Sequence, residues 1–214
     1  MKQLIHSTRD RILAAAEELF AETGIAATSL RTITALARVN LAAVNYHFGS
    51  KDALIEAVYE RRLRPLNQAR LERLERLERA ANGSPPEVAE IVDAYVDPIL
   101  ELGNKSNGSS MVFSRLLAQT YSDASQYVHK MFSTEQESVL KRFKKSLRHA
   151  LPELSDAEIC WRMHFMAGAL NNAIADIGAL NMIDDKQHEY DLEKAVAQLK
   201  PFLVAGLQAP GNTR

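Results

Sequence analysis

The side chains best suited to recognising another molecule lie together: Asn45, Tyr46 and His47, with Lys51 a helical turn further on. Val44 and Phe48 are four residues apart, the spacing of one inward helical face, so Ala42, Ala43, Asn45 and Tyr46 are expected to face outward. Asparagine presents an acceptor beside a donor and can pair bidentately with adenine. Small side chains at Ala42 and Ala43 let a helix backbone approach base edges, and their methyls can touch a thymine methyl. Tyr46, His47 and Lys51 offer donors to phosphates, and the amides following Thr28 and Ser50 lie at expected helix N-termini, which favour phosphate. His47 also reads as an ordinary surface or packing histidine.

Catalytic and metal chemistry find little support. Gly49-Ser50-Lys51 lacks the upstream glycine of a phosphate-binding loop. No serine, cysteine and histidine arrangement stands out. The six histidines, His6, His47, His129, His149, His164 and His188, show no metal-ligand pairing at three or four residues. No metal, cofactor or catalytic residue is expected, and a helical enzyme is the remotest of the readings considered.

The elements that must position Asn45 and its neighbours are helices. Apolar residues recur at three- and four-residue spacing throughout, and nothing alternates with period two over a convincing length. A first helix is expected from Thr8 to Thr23, capped by Ser7 and stopped by Gly24, with Ile25 folding back. Thr28 is expected to cap a second helix carrying Leu30, Ile33 and Leu36. A very short third follows Asn40 and ends at Gly49-Ser50. Ser50 caps a long fourth, Lys51 to about Ala81, bent at Pro65. Asn82-Gly83-Ser84-Pro85-Pro86 is a break, with Ser84 as the next cap and Pro85 at the first helical position. A fifth helix carries Val88, Ile91, Val92, Tyr95, Ile99 and Leu102. Further helices are expected from about Ser110 to Tyr121, Ala124 to Ala150, Asp156 to about Leu180, and Asp191 to Gln208. Three short helices joined by tight turns match a helix-turn-helix DNA reader in size and spacing.

The strings Thr28-Ser29-Leu30-Arg31-Thr32-Ile33, Ala37-Arg38-Val39-Asn40 and Val44-Asn45-Tyr46-His47-Phe48-Gly49-Ser50-Lys51-Asp52-Ala53-Leu54 resemble the TetR family of one-component repressors over roughly residues 8 to 60. The resemblance implies an all-α fold of about nine helices. Residues 1–55 would form a three-helix DNA-binding domain with a helix-turn-helix, and residues 56–214 a larger ligand-binding and dimerisation domain. It places DNA contacts at Thr28, Arg31, Leu41, Ala42, Ala43, Asn45, Tyr46, His47 and Lys51, with Asn40 opening the reading helix. Leu41 also lies on the Val44 side. Family members usually carry glycine where Arg38 stands and alanine where Thr34 stands. A left-handed Arg38 would cost on the order of 1 kcal/mol, which its guanidinium could offset by reaching a phosphate. Asn40 to Phe48, together with Trp161-Arg162-Met163-His164-Phe165-Met166, is similar to a subgroup that senses long-chain fatty acids.

In the helix from Asp156, Ile159, Met163, Met166, Leu170, Ile174 and Ile177 form one apolar face, while Trp161, Phe165, Gly168, Ala169, Asn172 and Ala175 form the other. A helix apolar on both sides must be covered on both sides, which predicts a homodimer. The last helix offers Val196, Leu199 and Leu203 as the partner stripe. An effector pocket is expected at Tyr95, Ile99, Phe113, Leu116, Leu117, Phe132, Met163 and Met166, suited to a small apolar effector. Each of these taken singly is also an ordinary core position. Arg115 and Arg162 could pair a carboxylate or phosphate head group, although surface positions are the stronger expectation for both. Lys141 to His149 reads as a solvated, basic helix end.

Composition sets the bounds on these readings. The 214 residues are 46% hydrophobic and 25% charged, ordinary values for a globular protein. A single cysteine, Cys160, excludes an internal disulfide framework. No long apolar run is present and Met1 to His6 lacks a signal-peptide core, so a soluble, cytoplasmic chain without a membrane partner is expected. Net charge is -1, which alone argues against a nucleic-acid partner. However, residues 1–64 hold nine Lys+Arg against seven Asp+Glu, and the remainder holds 17 against 20. Binding to double-stranded DNA would therefore depend on a few placed donors and on dimer geometry. The reading from these residues and from the resemblance is a dimeric, ligand-responsive regulator, a repressor that binds a palindromic operator and is released by a small apolar effector such as a fatty acid or acyl-coenzyme A; the alternative is a helical lipid-binding or carrier protein that does not read DNA.

Overall fold

A computed structural model describes residues 7–104, 126–175 and 192–211. Among them are eight helices: α1 (Thr8–Thr23), α2 (Leu30–Ala37), α3 (Leu41–Phe48), α4 (Lys51–Ala80), α5 (Val88–Asn104), α6 (Gln126–Ala150), α7 (Asp156–Ala175) and α8 (Leu192–Gln208). The fold is all-helical. The helix expected from Ser110 to Tyr121 lies outside the described residues.

Local chemistry sets most of the boundaries. Ser7 accepts from the Asp10 amide at 3.1 Å to cap α1, and Gly24 ends it at φ 87°, a backbone conformation that costs glycine little. Ser50 accepts from the Ala53 amide and opens α4 directly after Gly49, whose φ is 77°. Ser155 and Glu158 form a reciprocal capping box at the start of α7.

Two expected caps are corrected. Ser29, not Thr28, caps α2, accepting from the Thr32 amide at 3.1 Å. The Thr28 hydroxyl turns inward, donating to the Gly24 carbonyl at 2.6 Å to close the α1–α2 turn. Ser84 and Pro85 do not open α5, which begins at Val88. Pro86 disfavours the helical region for the residue before it, which argues against Pro85 as a first helical residue. Glu87 takes the capping position, with its amide donating to the Glu90 carboxylate.

One apolar core runs through the described chain. Ile12, Ala16, Phe20, Ile33, Val44, Leu54 and Val58 gather α1, α2 and α3 against the first turns of α4. Further along, α4 packs on α5 and α6, and α5 and α7 both pack on α8. Because α4 is one helix of 30 residues with Pro65 inside it, the expected division at residues 55 and 56 falls within a continuous element. Charged side chains tie the second half together. Arg73 meets Asp97 and Glu101, Arg142 meets Glu78 at 2.7 Å, and Lys144 meets Asp156 at 2.8 Å. Lys200 bridges α8 to Asp93 and Asp97 of α5. Burial works against its ammonium, but the two carboxylates prevail and hold it above the usual lysine value.

Candidate nucleic-acid interface

The reading helix α3 is only two turns long, so its orientation comes from packing. Val44 is fully buried, and Phe48 is half-buried with the Arg9 guanidinium 5.3 Å from its ring centroid. That inward pair turns the other face to solvent. Tyr46 is 85% exposed, Asn45, Ala42 and Leu41 are exposed, and Ala43 and His47 are half-buried. Leu41, with its competing inward assignment, is on the open side. The Tyr46 and His47 rings meet edge to face at 5.1 Å, which braces the tyrosine in its outward position. Asn40 caps α3, its Oδ1 accepting from the Ala43 amide at 2.9 Å.

The flanking residues divide. Arg31 is exposed on α2. Thr28 is only 3% exposed and its hydroxyl is bonded within the α1–α2 turn, so its side chain is not part of the open face. Lys51 reaches back to donate to the Ile25 carbonyl at 2.7 Å. This anchors the start of α4 while leaving the ammonium two further donors. Arg38 adopts φ 54°, ψ 49°, the left-handed conformation that its position in the turn demands.

Sequence reasoning missed Arg11. Its guanidinium spans from α1 to the turn between α2 and α3, donating to the carbonyls of Ala37 and Arg38. The partners lie 26 and 27 residues away, so no local pattern signals them.

In the remainder of the chain the expected sets separate. Of the pocket residues, Tyr95, Ile99, Met163 and Met166 are all buried and belong to the core. Phe113, Leu116 and Leu117, like Arg115, lie outside the described residues. The Phe132 side chain does too, although its backbone is in α6. Arg162 is no head-group residue: it donates to the Leu207, Ala209 and Pro210 carbonyls and fastens the end of α8. Asn67 and Arg70, not singled out from sequence, are buried polar residues on α4, with the Arg70 guanidinium 3.9 Å from the Tyr95 ring centroid.

On α7, Ile159, Met163, Met166, Leu170 and Ile174 are buried as expected, while Ile177 lies outside the described residues. The opposite side is open: Trp161 is 61% and Phe165 62% exposed, their rings stacked at 5.7 Å, with Gly168 and Asn172 exposed beyond them and Ala169 half-buried. The Ala175 side chain is not described. The stripe assigned to α8 is corrected. Val196 and Leu203 are buried within the same chain and Leu199 is half-buried, because α5 and α7 both pack on that face. The exposed aromatic of α8 is Phe202, at 68%. Among the described residues no helix is long and apolar enough to cross a membrane, and no group of three or more His, Cys, Asp and Glu side chains could hold a metal ion.

Three small helices that bury one side of α3 and present the other, continuous through α4 with a larger helical body, define a helix-turn-helix protein of the DNA-binding class. Residues 12–58 match the family described as bacterial regulatory proteins, tetR family, and residues 93–206 match the tetracyclin repressor-like C-terminal domain. The chain belongs to the TetR family of transcriptional regulators, which are DNA-binding proteins and not enzymes. It is 55% identical over 49 residues to an HTH-type transcriptional repressor of Mycobacterium tuberculosis, a match covering 23% of this chain and 26% of that one. The chain thus spans about a quarter of that relative's length. Among solved structures it is similar to SmeT in its triclosan complex, with a TM-score of 0.64 at 24% identity over 98% of each chain. It is also similar to the fatty acid degradation regulator FadR from Bacillus halodurans, with a TM-score of 0.65 at 14% identity over 97% of this chain and 99% of that one. At those identities the likeness concerns the fold.

Proposed function

We propose that this chain is a homodimeric repressor in the cytoplasm that binds a two-fold symmetric operator and releases it when a small apolar effector binds the larger domain. The observation that carries the reading is the outward face of α3. Asn45 and the 85% exposed Tyr46 stand on a helix anchored by a fully buried Val44, an arrangement with no role in the protein's own core. Asn45 would read an adenine edge, and Ala42 and Ala43 would admit the helix to the major groove. Arg31, Tyr46, His47 and the free donors of Lys51 would meet phosphates. Leu41 and the cap Asn40 lie at the same groove-facing end.

The exposed Trp161, Phe165, Gly168 and Asn172 of α7 would supply a surface for a second copy, and Phe202 of α8 is a further exposed aromatic. A two-fold axis there would present two α3 helices to half-sites about one DNA turn apart. The effector reading rests on the buried apolar interior around Tyr95, Ile99, Met163 and Met166, where flexible methionines would have to repack to admit a long chain. Fatty acids and their coenzyme A esters are the class to test. The effector can release DNA only by as much as it favours the state with the wrong separation between the reading helices.

Selection of bound duplexes from a random library, with and without a panel of fatty acids and acyl-coenzyme A esters, tests the proposal directly. An enriched palindrome is expected, with its recovery lowered by one of these compounds. Asn45→Ala should weaken binding to the selected duplex by about 1–3 kcal/mol and relax the preference at one base position. No enrichment by the wild type at physiological salt would overturn the regulator reading in favour of a carrier.

A further inference from the structure

We propose that Arg11 is a positioning residue for operator recognition, fastening the turn that sets the angle between α2 and α3. The inference rests on the reading of α3 as the DNA-contacting helix and goes beyond it, since Arg11 stands on α1.

The argument begins with the carbonyls at the end of α2. A helix leaves its last carbonyls without helical partners. Here the Val39 amide donates to the Thr34 carbonyl at 3.0 Å and the Arg38 amide to the Ala35 carbonyl at 3.2 Å. These are the two bonds of a Schellman ending, which requires a left-handed residue at position 38. That residue is normally glycine, because a Cβ is strained there. In this chain it is arginine, at φ 54°. The turn therefore carries strain at the point where the direction of α3 is decided, and the ending leaves the Ala37 and Arg38 carbonyls unused.

Arg11 takes both. Its Nε and one terminal nitrogen donate to the Ala37 carbonyl at 3.1 and 2.5 Å, and the same terminal nitrogen donates to the Arg38 carbonyl at 2.7 Å. A planar guanidinium can bridge two neighbouring carbonyls in fixed geometry, whereas an ammonium acts as a point charge. Hydrogen bonds from a charged donor are the stronger kind. Arg11 also projects from α1, whose Ile12, Ala16 and Phe20 are fully buried in the core, so the clamp is referred to a rigid support. Arg11 thus holds in place a turn conformation that Arg38 adopts only under strain.

The test is a double-mutant cycle on the duplex that the wild type selects from a random library, with a scrambled duplex measured alongside. Arg11→Ala should weaken binding to the selected duplex about tenfold, equivalent to about 1.4 kcal/mol. Binding to the scrambled duplex and the slope of affinity against salt should be unchanged. In an Arg38→Gly background, where the turn is unstrained, Arg11→Ala should cost less than about twofold, and exchange of the Val39 amide should be accelerated by Arg11→Ala only when Arg38 is present. Arg11→Lys, which keeps the charge and removes the fork, should lose most of the affinity and serves if the alanine variant does not fold. A salt slope reduced by about one would overturn the proposal by making Arg11 a phosphate contact. So would an undiminished cost in the Arg38→Gly background, equal losses on both duplexes, or full retention by Arg11→Lys. Absence of any selected duplex for the wild type overturns the DNA reading together with this one, whereas an Arg11→Ala variant that keeps the wild-type affinity ratio between the two duplexes overturns this one alone.

Discussion

Glu17 is 3% exposed and still carries a carboxylate into the contact between α1 and α4, where the Arg62 Nε donates to it at 2.5 Å. A buried charge is tolerated only when it is paired. Removing the cation strands the anion, so Arg62→Met is expected to destabilise the protein by about 3 kcal/mol, read as a lowered urea midpoint at unchanged slope. The sequence shows Glu17 only as an acidic position in the first helix. It could not supply the partner, which lies 45 residues on. Thr28 carries the same lesson. A threonine before a helix reads as a cap, yet Ser29 beside it satisfies the same amides and frees Thr28 to turn inward. Two capping residues in succession leave the choice to the packing of the preceding turn.

At the scale of elements, caps and stops are legible because they are local. Ser7, Gly24, Gly49, Ser50 and Ser155 mark the boundaries that their types predict, through bonds three or four residues away. Asn40 belongs to this group, and α3 is too short to hold its first turn by helix propensity alone. Asn40→Ala should therefore cost about 1 kcal/mol in thermal stability, and a midpoint unchanged within error would show that packing alone maintains the start of α3. The start of α5 was misplaced because a Ser-Pro pair signals a helix start, whereas the second proline cancels the signal by steric exclusion. The basic run from Lys141 to His149 resolves at this scale as well. Arg142, Lys144 and Arg148 meet Glu78, Asp156 and the carbonyls after α6, so these charges tie helices together.

At the scale of the molecule, the proposed dimer rests on the open side of α7. A Cβ built on Gly168 meets nothing within 4 Å inside the chain, and Trp161 is exposed. Gly168→Glu and Trp161→Asp are thus expected to leave the protomer folded, with unchanged helical circular dichroism, while converting dimers to monomers in sedimentation velocity. Dimers that persist in both variants would remove this face from the interface. Such monomers should also bind the selected duplex far more weakly, since one reader spans only a half-site.

By itself the sequence determined the all-helical class, the order of the described helices, most of the caps and stops between them and the outward placing of Ala42, Asn45 and Tyr46 on α3, because 3.6-residue periodicity and capping are properties of neighbours along the chain. Only the tertiary structure decided which apolar stripe is spent internally. Val196 and Leu203 are as apolar as any interface residue, yet α5 and α7 cover them, whereas Phe202 between them is left in solvent. It also decided that Arg11 reaches Ala37, that Arg162 ends on α8, and that Glu17 is buried. Those facts depend on helices distant in sequence meeting at particular angles, and an angle between helices is written in no single stretch of residues.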